Sequence, residues 1–363
     1  MITNWQTKKL GEVLKLEYGK PLLKSHRKDD GPYPVYGANG IKDFSNRFYF
    51  DKPSIVVGRK GSAGEINLTE KKFWPLDVTY FVTFDDRKYN LKFLYNLLGA
   101  LELTKLAKGV KPGINRNEVY DINVKVPPLS EQRRIVKILD EVFEKIKKAK
   151  ENAEKNLQNA KKLFESYLQS VFTKSGKGWE EKNLGEVCKV IAGQSPEGKF
   201  YNKLGKGMPF YQGKKEFGEK YIGVPTTWTT ETTKEAEKGD ILMSVRAPVG
   251  PINFATQKIC IGRGLAVIRA GKKINKDFMF YGILSKEKEI IGNAGAVFAS
   301  ISKTDIENLK FFVPPLLEQK SIVVKLDALS AETKKLEAIY KKKLADLEEL
   351  KKSVLKKAFS GEL

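Results

Sequence analysis

Cysteine and histidine are almost absent from this chain of 363 residues. Two cysteines, Cys188 and Cys260, and one histidine, His26, are all that the sequence contains. The cysteines lie far apart and neither belongs to a CxxC pair, so the sequence predicts neither a disulfide framework nor a zinc site. His26 stands in a basic loop without an evident catalytic partner, which is typical of a solvated loop residue. We therefore expect no metal and no cofactor.

Long apolar runs are missing as well. No stretch of eighteen apolar residues occurs, and the opening MITNWQTKKLGEV lacks the apolar core of a signal peptide. Because scarce cysteine also suits a reducing compartment, we expect a protein of the cytoplasm that does not enter a membrane.

Motifs for ATP hydrolysis and for methyl transfer are lacking too. The sequence has no GxxxxGK[ST] phosphate loop. The motif of an amino-methyltransferase has an aromatic residue after its Pro-Pro pair, whereas leucine follows both Pro-Pro pairs that precede a long helix here. Acidic pairs such as Asp85-Asp86 stand in turn-like contexts. We therefore expect a protein that is not an enzyme. A nuclease or methyltransferase in its own right is an interpretation that a single sequence leaves open.

Positive charge is present in large excess. The chain has 66 Lys and Arg against 44 Asp and Glu, a formal net charge of +22. Such a field attracts polyanions, of which nucleic acid is the commonest in cells. Adaptation to heat raises glutamate together with lysine, and would not by itself leave this excess. The charge predicts double-stranded DNA as a partner.

An internal repeat organises the chain. Residues 126–140 read VPPLSEQRRIVKILD and residues 313–327 read VPPLLEQKSIVVKLD, an offset of 187 without a gap. Each half also opens on W-x4-LGEV, at Trp5–Val13 and at Trp179–Val187. Identity fades between these segments. The pattern indicates a tandem duplication in which the W-x4-LGEV and PPLxEQ segments match and the sequences between them diverge.

A long amphipathic helix is predicted after each PPLxEQ motif. Apolar or small residues recur there at steps of three or four over about 43 residues, with Ser130 as the N-cap of the first helix. Helices with one such stripe need a partner, so we expect the two to pack antiparallel on each other. Thr333 and Lys351 interrupt the second stripe. The expected packing residues are Ile135, Leu139, Val142, Ile146 and Leu157, then Ile322, Leu326, Leu329, Leu336, Leu344 and Leu347.

The remaining halves are predicted to be globular α/β (α+β) domains in two tandem copies. Short apolar runs at 54–57, 80–84 and 265–268 favour strands, and helix-like stretches lie near 92–106 and 277–290. We expect a pseudo-two-fold repeat in which two long antiparallel coiled-coil helices separate the globular domains. The predicted boundaries are 1–128 and 175–315 for the globular domains, and 129–174 and 316–363 for the helices.

Most of the excess charge lies outside the helices. Each helix has a net charge of +3, which leaves +16, and eight of the ten arginines also lie in the globular halves. Arginine is well shaped to contact guanine. The expected DNA contacts are Tyr36, Arg59, Lys60, Ser62, Lys111 and Arg116 in the first half, and Lys214, Lys215, Arg246 and Arg263 in the second. Surface turns, or core packing for the aromatic residue, are the alternatives at these positions.

The doubled PPLxEQ motif, the doubled W-x4-LGEV opening and the ending LKKAFSGEL at 355–363 resemble the conserved regions of Type I restriction-modification specificity subunits. The resemblance covers the whole chain, which is compact for this family. It implies two target recognition domains, each reading one half of a bipartite, asymmetric DNA site. It further implies that the helices set the spacing and dock two methyltransferase subunits, which endonuclease-translocase subunits join. A stand-alone bipartite DNA-binding protein without enzyme partners is the alternative.

Overall fold

A computed structural model describes residues 5–173, 176–293 and 300–363 of the chain. These residues divide into two compact units, Met1–Glu154 with Lys341–Leu363, and Lys155–Tyr340. Each unit therefore combines one globular half with one stretch of each long helix. The four-part division of the chain stays a prediction, and its boundary at 174 and 175 lies outside the described residues.

The first unit has an α/β half followed by the start of a long helix. Its strands are β1 (Gln6–Lys9), β2 (Lys15–Tyr18), β3 (Tyr33–Gly37), β4 (Gly40–Ser45), β5 (Ser54–Gly58), β6 (Ile66–Thr69), β7 (Trp74–Pro75), β8 (Thr79–Thr83) and β9 (Asn123–Val126). Its helices are α1 (Leu10–Val13), α2 (Leu91–Ala100), α3 (Arg116–Tyr120) and the long α4 (Leu129–Thr173), which continues into the second unit.

The second unit has a similar order of elements, with two more strands and one more helix among the described residues. Its strands are β10 (Glu180–Asn183), β11 (Cys188–Ala192), β12 (Tyr201–Asn202), β13 (Met208–Tyr211), β14 (Trp228–Thr229), β15 (Glu235–Ala236), β16 (Ile241–Ser244), β17 (Ile252–Phe254), β18 (Ile259–Ile261), β19 (Leu265–Ala270) and β20 (Lys310–Val313). Its helices are α5 (Leu184–Val187), α6 (Lys276–Ser285), α7 (Glu287–Asn293), α8 (Lys303–Glu307) and the long α9 (Leu316–Ser360), which ends in the first unit.

The four-stranded sheets of the two units have the same topology, whereas the second sheets differ, within the described ranges, in having three strands in the first unit and five in the second. An antiparallel sheet of order β2-β8-β5-β6 in the first unit corresponds to β11-β19-β16-β17 in the second. A second sheet contains one parallel pair in each unit, β3 with β7 and β13 with β18. The opening strand of each half pairs with the strand that precedes the long helix, β1 with β9 and β10 with β20. The predicted fold class, two α/β copies joined to two long helices, is confirmed.

The glutamine of each PPLxEQ motif is buried and ties the long helix to its globular half. Gln132 Oε1 accepts from Asn90 N at 2.8 Å, and its Nε2 donates to the carbonyls of Lys88 and Pro127 at 3.0 and 2.9 Å. Gln319 accepts in the same way from Asn275 N at 2.7 Å. Asn90 and Asn275 are the N-caps of α2 and α6. The motif recurs because a buried amide must satisfy all of these groups.

The long helices are each 45 residues, close to the predicted 43. The prediction of Ser130 as the N-cap is wrong, because helix α4 begins at Leu129, two residues before a helix capped by Ser130 would begin. Gln132 N donates to Pro128 O at 3.0 Å in its first turn. Within the first unit the two helices run antiparallel. Arg134 Nη2 donates to Leu363 O at 2.9 Å, and Lys150 Nζ lies 2.7 Å from a Glu348 carboxylate oxygen.

The helix stripe is buried or half-buried at ten of its eleven expected positions. Ile135, Leu139, Ile146 and Leu326 are buried, and six other members of the expected set are half-buried: Val142, Leu157, Ile322, Leu329, Leu344 and Leu347. Leu336 is 38% exposed. Thr333, which was expected to interrupt the stripe, is 3% exposed, and its hydroxyl donates to Leu329 O at 2.9 Å. A threonine fits such a position because its hydroxyl is satisfied by the preceding turn of its own helix.

Candidate nucleic-acid interface

Two basic loops of the first unit, predicted as separate candidates, lie together. Gly61 N donates to Pro112 O at 2.8 Å, and Ile114 N donates to Arg59 O at 3.1 Å. The first loop requires glycine at Gly64, where φ is +86° and a Cβ would lie 2.3 Å from a backbone nitrogen. The expected contact residues Lys60, Ser62 and Lys111 are exposed on these loops.

Arg59 and Arg116 meet at a tyrosine that sequence reasoning missed. The guanidinium carbons of Arg59 and Arg116 lie 5.5 and 4.9 Å from the ring centroid of Tyr18, which is 46% exposed. Tyr80 lies behind it, with ring centroids 5.1 Å apart. We call Tyr18, Arg59, Tyr80 and Arg116 the Tyr18 cluster. The face of an aromatic ring attracts a guanidinium group, which helps to hold both cations in place.

Backbone carbonyls fix both cations of the Tyr18 cluster. Arg59 donates from Nε and Nη2 to Asp77 O at 3.1 and 2.6 Å, and Arg116 Nη1 donates to Leu16 O at 3.4 Å. Burial raises the pKa of the Tyr80 hydroxyl to about 12, so this group remains a neutral donor at physiological pH. The cluster therefore presents two positioned positive charges whose orientation does not depend on a ligand.

Tyr36 lies in the core and does not reach this surface. Its side chain is 6% exposed, and its ring packs edge-to-face on Phe73 with centroids 5.7 Å apart. Tyr211 of the second unit occupies the matching place and is 1% exposed. An aromatic ring that fills a core is unavailable for stacking on a base, so of the two alternatives for Tyr36 the structure favours packing.

The second unit brings together three segments that carry its expected contacts. Gly264 N donates to Gln212 O at 3.2 Å, and Val245 N donates to Gly264 O at 3.0 Å. Gly264, next to Arg263, is therefore bonded on one side to Gln212, which precedes Lys214 and Lys215. On the other side it is bonded to Val245, which precedes Arg246. The four expected contact residues, Lys214, Lys215, Arg246 and Arg263, are exposed.

Backbone hydrogen bonds show which residues of the two units are equivalent. In the first unit, Arg59 N donates to Val78 O at 2.8 Å, and Arg59 O accepts from Ile114 N. In the second unit, Val245 N donates to Gly264 O, and Val245 O accepts from Ile301 N at 3.1 Å. Val245 therefore stands in the place of Arg59. Tyr18 of β2 pairs with Tyr80 of β8 in the first unit. In the second unit, the equivalent positions of β11 and β19 are occupied by Ala192 and Ala266. The Tyr18 cluster thus has no aromatic counterpart at these positions of the second unit.

The described part of the chain contains neither a metal-binding cluster nor a membrane-spanning helix. Across residues 5–173, 176–293 and 300–363, no three His, Cys, Asp or Glu side chains are grouped so that they could hold a metal ion. Of the helices in these ranges, none combines the length and the apolar character needed to cross a membrane.

Comparison with known families identifies this arrangement. The family model described as the Type I restriction modification DNA specificity domain matches residues 2–155 and again residues 176–348. The chain belongs to this family of DNA specificity subunits. The two matches fall on the two copies found by the internal repeat, and the family resemblance stated from the sequence motifs is confirmed. DNA sequence recognition is the function of a specificity subunit.

Individual relatives agree with the family. A protein of Methanocaldococcus jannaschii assigned as the type I restriction enzyme MjaX specificity subunit is 38% identical over 267 residues, which cover 69% of this chain and 61% of that protein. The Escherichia coli EcoDI specificity subunit is 26% identical over 403 residues, covering 99% of this chain and 89% of that protein.

Solved structures show the same fold. A chain from a structure of a type I R-M system, described in terms of complex assembly and conformational transition, superimposes with a TM-score of 0.85 at 27% identity, and 99% of each chain is covered. The HsdS subunit of Thermoanaerobacter tengcongensis superimposes with a TM-score of 0.67 at 27% identity, over 99% of this chain and 98% of that one.

Proposed function

We propose that this specificity subunit reads a bipartite, asymmetric DNA site, one half with each unit, and that it performs no chemistry on the DNA. The observation that carries the proposal is one backbone scaffold used twice with different side chains on its candidate contact surface. Arg59 and Tyr18 of the first unit correspond to Val245 and Ala192 of the second. Two copies with different surfaces suit two different half-sites, whereas a symmetric dimer would read a palindrome.

We infer the DNA contacts from polar and basic side chains on these surfaces that are exposed or half-buried. In the first unit we assign them to Arg59, Lys60, Ser62, Lys111 and Arg116, and in the second to Lys214, Lys215, Arg246 and Arg263. Lysines suit phosphate, which positions the protein, while arginine also contacts guanine in the major groove. Tyr36 is left out of this assignment because it is buried.

The long helices suit the role of a spacer and docking surface. At about 1.5 Å per residue, a helix of 45 residues is roughly 68 Å long. We infer that the two helices set the distance between half-sites, that they dock two methyltransferase subunits, and that endonuclease-translocase subunits join this complex. The solved type I R-M structure that shares the fold concerns such complex assembly. Work in the cytoplasm, where the DNA lies, fits this role.

The test is to assemble the full chain with methyltransferase subunits and to map methylated adenines in treated DNA. We expect one asymmetric motif with two specified halves and an unspecified spacer. A palindromic or continuous motif would contradict the proposal. Binding of DNA without any binding of methyltransferase subunits would favour the alternative of a stand-alone DNA-binding protein.

A further inference from the structure

The short turn that precedes β8 in the first unit and β19 in the second carries opposite charges in the two units. In the first unit this turn is Leu76–Val78, between β7 and β8, with Asp77 at its tip. In the second unit it is Gly262–Gly264, between β18 and β19, with Arg263 at its tip. We call these the tip turns.

Three backbone hydrogen bonds of one tip turn have a direct counterpart in the other. On entry, each turn donates to the carbonyl of a buried tyrosine. On exit, each turn accepts a hydrogen bond from an equivalent residue, which is Arg59 in the first unit and Val245 in the second. In the first unit these bonds are Leu76 N to Tyr36 O at 2.9 Å, Lys20 N to Pro75 O at 2.9 Å and Arg59 N to Val78 O at 2.8 Å. Their counterparts in the second unit, in the same order, are Gly262 N to Tyr211 O at 2.8 Å, Gln194 N to Ile261 O at 3.2 Å and Val245 N to Gly264 O at 3.0 Å. Asp77 and Arg263 therefore occupy the same position.

The backbone of each tip residue is held while its side chain is available. Asp77 O accepts both bonds from Arg59, and Arg263 N donates to Ser195 Oγ at 3.3 Å. Both tip side chains are exposed, and neither makes a hydrogen bond or an ion pair with another residue of the described ranges. A functional group that is rigidly placed but unpaired suits readout of a ligand more than support of the fold.

The Asp77 carboxylate bears on the kind of ligand that this surface binds, because the side chains around it are cationic. The guanidinium of Arg59 donates to the backbone carbonyl of Asp77, and the Tyr18 cluster adds Arg116. On a surface that faces phosphates an acid is repelled, and the favourable partners of a carboxylate on DNA are the amino groups of bases. Cytosine N4 is the donor that Asp and Glu read in the major groove, whereas arginine reads guanine O6 and N7.

We propose that Asp77 and Arg263 are specificity-determining residues that read opposite base chemistry at the equivalent position of the two half-sites, cytosine by Asp77 and guanine by Arg263. The inference rests on the proposed function, and it adds which residue pair distinguishes the halves and how. It also explains why one scaffold can tolerate both residues, since neither side chain supports the turn that carries it.

The experiment uses the full chain assembled with methyltransferase subunits, and it measures base preference at every position of the motif with a library of DNA duplexes. The variants are Asp77→Asn and Arg263→Gln. Because Asn and Gln bind adenine N6 and N7, each variant should shift one base toward adenine, with a loss of about tenfold or more for the original base. Asp77→Asn should change only the half-site that the first unit reads, and Arg263→Gln only the other.

Matched controls lie at the opposite ends of the same strands. Asp86 follows β8 and Lys272 follows β19, and both are exposed. Asp86→Asn and Lys272→Gln make the same charge changes as the two test variants, and they should leave every base preference unchanged. Thermal unfolding of all four variants should match the parent, since none of these side chains is buried.

The outcomes separate this inference from the proposed function. If the parent complex selects no bipartite motif, the proposed function fails and the inference fails with it. If the parent selects such a motif but Asp77→Asn and Arg263→Gln lower affinity equally for all sequences, or change nothing, the function stands and the inference is wrong. A change confined to one base in the expected half supports it.

Discussion

At the scale of single residues, charge and residue type were enough to point to Arg59 and Arg116, but not to what holds them. Tyr18 lies 98 positions before Arg116, and nothing in the local pattern of β2 links it to either arginine. Asp77 was missed because an acid is an unusual candidate in a basic protein. Tyr18 was missed because it meets the two arginines only through strand pairing between distant segments.

A first prediction concerns Arg59. Replacement by alanine removes a guanidinium that is fixed on Asp77 O and Tyr18, so recognition of one half-site should weaken by about 1–3 kcal/mol if Arg59 contacts a base. Preferences in the other half-site should not change. Competition binding with single-base variants of the DNA site measures this. Arg87→Ala is the matched control, because Arg87 is exposed and pairs with Asp85 outside the Tyr18 cluster. A uniform loss at all sequences would mean that Arg59 holds phosphate instead.

At the scale of elements, the sequence predicted the strands near 54–57, 80–84 and 265–268 and both long helices, because their periodicity is local. It did not predict sheet order. Pairs such as β1 with β9 join segments more than a hundred residues apart, and short strands carry no signal of their partner. The repeat marked PPLxEQ as important without showing why, since the bonds of Gln132 and Gln319 depend on the position of α2 and α6.

A second prediction follows for Gln132→Ala. The change leaves Asn90 N and the carbonyls of Lys88 and Pro127 without their partner in a buried setting, which should cost about 1–3 kcal/mol per unsatisfied group. Amide exchange at the start of α2 should accelerate, and urea should unfold the first unit earlier. Gln158→Ala, at an exposed site on the same helix, is the control and should stay within about 0.5 kcal/mol. Unchanged exchange near Asn90 would show that Gln132 does not support this cap.

At the scale of the whole molecule, the net charge of +22 predicts how binding responds to salt. If the interface neutralises about six to ten phosphates, affinity should fall roughly a thousandfold or more between 50 and 200 mM salt. Fluorescence anisotropy of the purified chain with duplex DNA measures the slope. The same preparation, given Mg²⁺ and a methyl donor, should neither cleave nor methylate the DNA. A flat salt dependence, or any turnover by the isolated chain, would contradict the proposed function.

The duplication itself predicts that one half of the chain can pair with another copy of itself. In the first unit Phe359 of α9 packs on Phe93 of α2, with ring centroids 5.3 Å apart. In the second unit Phe172 of α4 packs on Phe278 of α6 in the same way, at 5.0 Å. Phe172 and Phe359 are related by the offset of 187. In a fragment of residues 1–174, α4 of one copy can therefore take the place of the missing α9 stretch on the other.

Two differences decide how well that replacement fits. Ala358 is fully buried, and Val171 would stand in its place with two additional methyl groups. The exposed pair of Lys150 with Glu348 would become Lys150 with Lys161, a small effect because surface ion pairs contribute little. Because crowding in a packed core is the larger penalty, Val171→Ala should tighten the fragment dimer. Phe172→Ala should weaken it, since it removes the ring that covers Phe93.

We therefore expect residues 1–174 to form a two-fold homodimer, because the part of the first core that Ala358 and Phe359 cover in the full chain would otherwise be exposed to water. Analytical ultracentrifugation of the fragment and of its Val171→Ala and Phe172→Ala variants measures the order of dimer stability. With methyltransferase subunits added, the dimer should direct methylation to a palindrome that repeats the first half-site in inverted order. A well-folded monomer, or methylation at the original asymmetric site, would show that the two helices are not equivalent in packing.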